Sequence, residues 1–188
     1  MPLGAWGLAG AAIFVVFQWF VVVGTANAAN ITDGLDGLAG GTLIFAYIGY
    51  MVIAFTFGQV NLAVLCALII GAITAFLWFN VHPAQIFMGD SGSLALGATL
   101  AVTAVITGQV LLLPLIGLVF VLETGSVIIQ VASVKLRGVR VFKMSPLHHH
   151  FELSGWDEEK ITLRFWIIGA LSALVGVAFY MATRGMLS

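Results

Sequence analysis

The sequence predicts an all-α fold, a polytopic integral membrane bundle of about six transmembrane helices, and three observations predict it. Of 188 residues, 61% are hydrophobic and only 8% charged, whereas soluble domains carry about 25% charged residues. Mean hydropathy is +1.13. Apolar runs recur at the roughly 20-residue length that crosses a bilayer as a helix. They cover approximately 4–24, 39–57, 62–79, 92–107, 110–134 and 162–183. Helices follow from the solvent, since lipid offers no hydrogen bonds to an open backbone. No composition shift divides the chain, so residues 1–188 read as a single transmembrane domain.

Each span has its own justification. The first follows Met1-Pro2 with no basic leader and no small-residue cleavage site, so it reads as a span and not as a signal peptide. The second and third are separated only by Gly58-Gln59-Val60-Asn61, and the fourth and fifth only by Gly108-Gln109. Breaks this short predict two antiparallel hairpins. Pro114, near the start of the fifth span, predicts a kink or a first-turn position. The sixth opens after Gly155-Trp156-Asp157-Glu158-Glu159-Lys160, a helix start with acids where the macrodipole favours them and a tryptophan suited to an interface. Cys66 lies in an apolar run and reads as a small buried residue. The 22 glycines suit close helix packing in lipid.

Six spans place 25–38, 80–91 and 135–161 on one side of the membrane, and on that side the charges gather. Six of the seven Lys and Arg fall there, with Arg184 the exception, as do all four histidines and every acid but Glu123. The positive-inside rule makes that side cytoplasmic and puts both termini outside. A net charge of −1 excludes a nucleic-acid binder working by bulk electrostatics. Gathering acids, bases and histidines on one face predicts a binding or catalytic site there.

Three stretches there can carry chemistry. In NITDGLDGLAGG, Asn30, Asp33 and Asp36 recur every third residue, so an early start to the next helix would line them up on its first turn. Capping and Asx turns use such residues, but one cap suffices and three polar groups exceed it. In FNVHPAQIFMGDSGSLALG, Asp90 sits in a Gly-Asp-Ser-Gly helix start, where backbone N–H groups suit phosphate oxygens. An acid there caps the helix or, with phosphate bound, holds a divalent cation. Mg²⁺ favours one or two carboxylates plus substrate phosphates. No Gly-Lys-Ser/Thr follows, so this is not a P-loop. In MSPLHHHFE, three adjacent histidines point in different directions and suit zinc poorly. Donation to phosphate oxygens fits better in a loop rich in Lys and Arg.

Glu123 lies inside the fifth span, followed at offsets 3, 7, 10 and 14 by Ser126, Gln130, Ser133 and Arg137 on one helical face. A mid-bilayer charge costs about 2.5–3.5 kcal/mol, so the stripe should face other helices and the cytoplasmic loop. Interhelical hydrogen bonding is the role expected for Glu123, with Gln130 near the site.

Taken in order, NAANITDGLDGLAGG, FNVHPAQIFMGDSGSLALG, ETGSVIIQVASVKLRG and MSPLHHHFELSGWDEEKITLRFWII resemble the phospho-N-acetylmuramoyl-pentapeptide transferases of bacteria, among the polyprenyl-phosphate N-acetylhexosamine-1-phosphate transferases. The resemblance covers essentially the whole chain. It implies a ten-helix inner-membrane enzyme, multi-pass, with a cytoplasmic active face and periplasmic termini. Such an enzyme moves phospho-N-acetylmuramoyl-pentapeptide from a UDP-linked donor to undecaprenyl phosphate with Mg²⁺, releasing UMP. Besides that donor, that acceptor and membrane lipid, a second copy of the chain in a homodimer is an implied partner.

Carried over residue by residue, the resemblance makes Asp90 the Mg²⁺ ligand. Asp36 and Phe87 fall near the base, Asn30 and Asp33 nearer the ribose, and Gly34 and Asn80 in the same pocket. Gln130, His148 and His149 complete the nucleotide and diphosphate region, the histidines and Asp90 as catalytic groups. The family's Asp-Asp-x-x-Lys motif, source of a proposed nucleophile or base, has no counterpart, because no Asp-Asp pair occurs in the 188 residues. Six spans then correspond to the latter part of the family fold, starting in a periplasmic loop and requiring the missing N-terminal helices or a complementing chain. The competing readings are a related transferase for another UDP-N-acetylhexosamine, a catalytically incomplete module that binds nucleotide or a partner, and a transporter using Glu123 as coupling carboxylate. The transporter ranks last, because only one helix carries a polar stripe.

Overall fold

The computed structural model describes residues 5–187, and among them every regular element is helical. The first residue of the predicted 4–24 span and the chain ends lie outside the described residues. The elements are α1 (Ala5–Thr32), α2 (Leu38–Thr56), α3 (Val60–Asn80), α4 (Gly89–Ile106), a 3₁₀ turn (Val110–Leu112), α5 (Leu113–Ile116), α6 (Leu118–Arg137), α7 (Leu147–Glu152) and α8 (Glu158–Leu187). Six of these helices are long and apolar enough to cross a membrane, and the chain is a multi-pass membrane protein.

The first helix continues to Thr32, well past its predicted end at 24. Its polar residues do not stop it because they bond backward onto their own helix: Thr25 Oγ1 donates to Val21 O, Asn27 Nδ2 to Val23 O and Thr32 Oγ1 to Ala28 O, each at 2.8 Å. Interspersed alanines, the best helix formers, do the rest. The helix stops at the glycines. Gly37 has φ +75°, a left-handed backbone that costs an L side chain about 1–2 kcal/mol, so α2 cannot begin before it.

α2 is the hub. In its spanning window 67% of the residues are buried, against 33% or less in every other span. Leu43, Tyr47, Tyr50 and Ile53 are fully enclosed by side chains of α1, α3, α4, α5 and α8. Tyr47 Oη donates to Leu96 O of α4 at 2.7 Å, and Tyr50 Oη to Gln109 O at 3.0 Å. Cys66 is buried as expected. The other helices show lipid a broad apolar surface that includes Phe14, Trp19, Phe20 and Trp78.

The predicted hairpin of α2 and α3 forms through Gly58, whose φ is +75°. The second predicted hairpin does not. α4 packs mainly on α1, where Gly97 sits so close that a Cβ would lie 2.7 Å from that of Ala29. The chain beyond Gly108 turns instead to α8 and α1.

The fifth span is two helices, not one. Pro114 takes the first turn of α5, and the chain breaks at Gly117 before α6 begins. Gln109 meets Tyr50, while Val119 already packs with Leu35 and Leu38 at the other end of α2. Residues 109–119 therefore climb that length of α2 alone. Glu123 lies past them and meets the start of α7. All eight acids of the sequence thus gather at one end of the bundle, as do the four histidines.

Candidate functional site

The charged end is assembled from the end of α1, the 33–37 turn, the 81–88 linker, the start of α4, α7 and the start of α8. A polar cavity of about 290 Å³ opens there, lined by Asn30, Asp33, Gly34, Leu35, Asp36, Asn80, Phe87, Met88, Gly89 and Asp90. Seven residues expected at a site from sequence thus line one cavity. They reach it by a different route. Asn30 belongs to the last turn of α1 and Asp33 and Asp36 to the turn after it, so no first turn of α2 carries the three.

Asn30 spans the gap between α1 and α4. Its Nδ2 donates to Asp90 Oδ1 at 2.8 Å and to Ser93 Oγ at 3.0 Å, and Ser93 Oγ donates to Gly89 O at 3.0 Å. Asp90 lies in the first turn of α4, whose N-cap position is Met88. It therefore acts neither as N-cap nor as a free acid, and Asn30 orients it. Asp33 faces the same ground. Partial burial raises its carboxyl above the ordinary 3.8 and the charge of Asp90 raises it further, while a hydrogen bond from the Gly89 backbone opposes both. Neither carboxylate has a cationic side chain in ion-pairing distance among the described residues.

Two repelling carboxylates beside a helix start are what a divalent cation with phosphate ligands would compensate. Beyond Gly89, the N–H groups of the first turn of α4 that no carbonyl takes suit the same phosphates. The donor set fits a hard cation such as Mg²⁺. Phe87 is 76% exposed at the rim, an uncovered ring face of the kind on which nucleobases stack.

The remaining polar residues build walls. Asn80 uses both ends of its amide, accepting from Gly37 N–H at 3.1 Å and donating to Ile86 O at 2.8 Å. Asp36 Oδ2 accepts from Ala84 N–H and meets His82 Nδ1, both at 3.0 Å, while the Asp36 N–H donates to Glu158 Oε1 at 2.7 Å. Asp36, His82 and Glu158 bring one ligand atom each within 4.8 Å of one another, but these atoms already bond among themselves. The sequence assigned no site chemistry to His82, and to Glu158 only a place in an acidic helix start. The only signal was their place on the charged side, because the fold brings together residues 46 and 122 positions from Asp36.

α7 resolves the histidine triplet. Successive helical residues diverge by about 100°, so each ring finds its own partner. His148 turns inward to Glu123, His149 pairs with Glu152, and His150 Nδ1 accepts the Lys143 N–H at 3.1 Å. Among the described residues Glu123 bonds no other spanning helix, contrary to expectation. Its Oε2 accepts the Leu147 N–H at 2.8 Å and meets His148 Nδ1 at 3.0 Å.

Gln130 does not reach the cavity either. Its Oε1 accepts from Val141 and Phe142 N–H at 3.0 and 2.9 Å, and its Nε2 donates to Phe142 O at 3.0 Å. Ser133 Oγ donates to Val139 O at 2.8 Å. The polar stripe of α6 therefore clasps the chain between α6 and α7, and the Gln130 amide is committed to that backbone through both its oxygen and its nitrogen.

Below the charged end, a second cavity of about 480 Å³ runs between α1 and the broken helix, lined almost wholly by apolar residues such as Phe17, Phe20, Leu111, Pro114, Phe120 and Ile128.

A family model described as Glycosyl transferase family 4 matches residues 2–108. The chain is 56% identical over 162 residues to the phospho-N-acetylmuramoyl-pentapeptide-transferase of Geobacillus thermodenitrificans, a match covering 86% of this chain and 50% of that protein. It is 52% identical over 177 residues to the protein of that name from Geobacillus kaustophilus, covering 94% and 55% respectively. With the Rubrobacter xylanophilus protein of that name, identity is 51% over 174 residues, covering 93% and 53%. The chain spans about half the length of these curated relatives.

Proposed function

Because the chain belongs to glycosyl transferase family 4, we propose that it supplies the nucleotide- and metal-binding half of a phospho-N-acetylmuramoyl-pentapeptide transferase. The donor is the UDP-linked muramoyl-pentapeptide and the acceptor undecaprenyl phosphate. The products are lipid I and UMP, formed for peptidoglycan at the cytoplasmic face of the bacterial inner membrane. The observation carrying this reading is the facing pair Asp33 and Asp90 in a polar cavity at the end of an apolar bundle.

Each part of the reaction has a residue suited to it. Phe87 offers its exposed ring to the uracil, with the Asp36 wall beside it. Asn30 orients Asp90 through one carboxylate oxygen, and Asp90 and Asp33 would hold the cation. The free N–H groups at the start of α4 receive phosphate oxygens. A bound Mg²⁺ would neutralise charge on the diphosphate and stabilise UMP as the leaving group. The apolar cavity between α1 and α6 suits an isoprenoid tail and leaves its phosphate near the charged end. Two anions must meet in this reaction, and a site at the membrane surface lets one come from water and the other from lipid.

The test is Asp90→Asn in the full-length protein, assayed for Mg²⁺-dependent lipid I formation. Loss of a direct ligand should exceed the roughly 100-fold losses seen when outer-shell groups are removed, with the melting temperature and helix content retained. Full turnover by the variant would sink the assignment.

A further inference from the structure

The proposed reaction gives Glu123 no task, yet this side chain is fully buried and carries an acid. Burying a carboxylate costs several kcal/mol unless it is paired and hydrogen-bonded. The compensation is one-sided. Oε2 receives the Leu147 N–H at 2.8 Å and His148 Nδ1 at 3.0 Å, with the His148 N–H at 3.5 Å, while Oε1 has no partner among the described residues. A hydrogen bond at Nδ1 decides what the other ring nitrogen can do. A carboxylate is acceptor-only, so Nδ1 must carry its proton, which leaves Nε2 as the ring nitrogen open to another partner.

His148 Nε2 is itself buried and without a partner among the described residues. It lies against Gly34, so closely that a Cβ there would overlap the ring nitrogen. Gly34 is also exposed and lines the cavity between Asp33 and Asp36. The one residue without a side chain in the 33–36 wall is the one behind which Nε2 stands. From the geometry we infer that Glu123 is a positioning residue. It locks His148 in the Nδ1–H form and presses Nε2 into the notch at Gly34, where an imidazolium Nε2–H donates to a phosphate oxygen of the bound nucleotide. A phosphate oxygen accepts only, which selects the protonated ring, and Glu123 balances its charge. This rests on the nucleotide–diphosphate reading of the cavity.

The experiment measures binding of UDP and of uridine, with Mg²⁺, to full-length protein carrying Glu123→Gln, His148→Asn, both changes, or Gly34→Ala. Losing a charge-assisted hydrogen bond should weaken UDP binding by about tenfold or more. Uridine, which has no phosphate, should bind Glu123→Gln, whose changed side chain lies outside the cavity lining, within about twofold of wild type. The double variant should be no worse than either single one, since the two residues act as a unit. Gly34→Ala leaves both members of the pair in place and should weaken UDP binding to a similar extent by pushing Nε2 aside. ¹⁵N spectra of labelled histidine should show a hydrogen-bonded Nδ1–H for His148 in wild type and its weakening in Glu123→Gln. Wild-type UDP affinity in Glu123→Gln would overturn the inference alone. So would additive losses, or equal losses for uridine and UDP in Glu123→Gln, which mark a structural role. Failure of the wild type to bind either ligand would overturn the nucleotide reading and the inference with it.

Discussion

Asp33 illustrates how one residue's surroundings set its chemistry. Nothing in its local sequence distinguishes it from Asp36, three residues on. Asp36 receives a backbone N–H and a histidine, whereas Asp33 is partly buried opposite Asp90, and its carboxyl is raised above 3.8 by burial first and by that charge second. A carboxyl raised in the fold adds stability below its unfolded value and loses it as pH rises through the folded one. In chelator, the melting temperature should therefore fall as pH rises from about 3.8 toward neutrality. Asp33→Asn should abolish that part of the fall and stabilise the metal-free protein at pH 7. Saturating Mg²⁺ should raise the melting temperature of wild type and leave the variant nearly unmoved. A variant with the wild-type pH profile would show that the pair does not interact. At this scale the sequence singled out acids that the fold brings to one cavity, since an acid in an oily chain is conspicuous, but it gave Glu158 only a place in a helix start and His82 none.

At the scale of elements, apolar length located the spans and missed how the fifth one breaks. Pro114 signalled a first turn, but Gly117 is one glycine among 22. Only packing reveals that Val119 has already reached Leu38. That break moves the polar stripe of α6 to the loop between α6 and α7, where Gln130 makes three backbone hydrogen bonds. Gln130→Ala should strand those groups, at about 1–3 kcal/mol for each left unsatisfied. The segment should then open. Limited trypsin digestion should cut at Arg140 and Lys143 about tenfold faster or more, while uridine affinity changes by less than about twofold because Gln130 lies outside the cavity. Unchanged digestion would show that the clasp is not what holds this loop. Its periodicity was legible in sequence, but its partner was not, because the offsets of one helix say which face is polar and not what meets it.

For the whole molecule, the spanning window of α1 is wholly unburied, while α2 is enclosed. The sequence carries no Asp-Asp pair, the motif that the resemblance associates with a nucleophile or base. We expect the 188-residue chain in lipid nanodiscs to bind UDP with Mg²⁺ and to form no lipid I. Co-expression with the first half of a relative's chain should restore transfer, read as radiolabelled lipid product. Turnover by the chain alone would show that its own residues complete the chemistry.

By itself the sequence determined a six-helix membrane bundle, its charged end and the acids gathered there. These follow from bilayer thickness and the cost of charge in lipid, which act on composition and run length. The tertiary structure alone decided which acids face each other, which amides are consumed in walls, and that Glu123 reaches His148. Those pairings reach across as many as 122 positions of sequence, and they depend on helix packing and on the glycines that let chains approach, which no local pattern encodes.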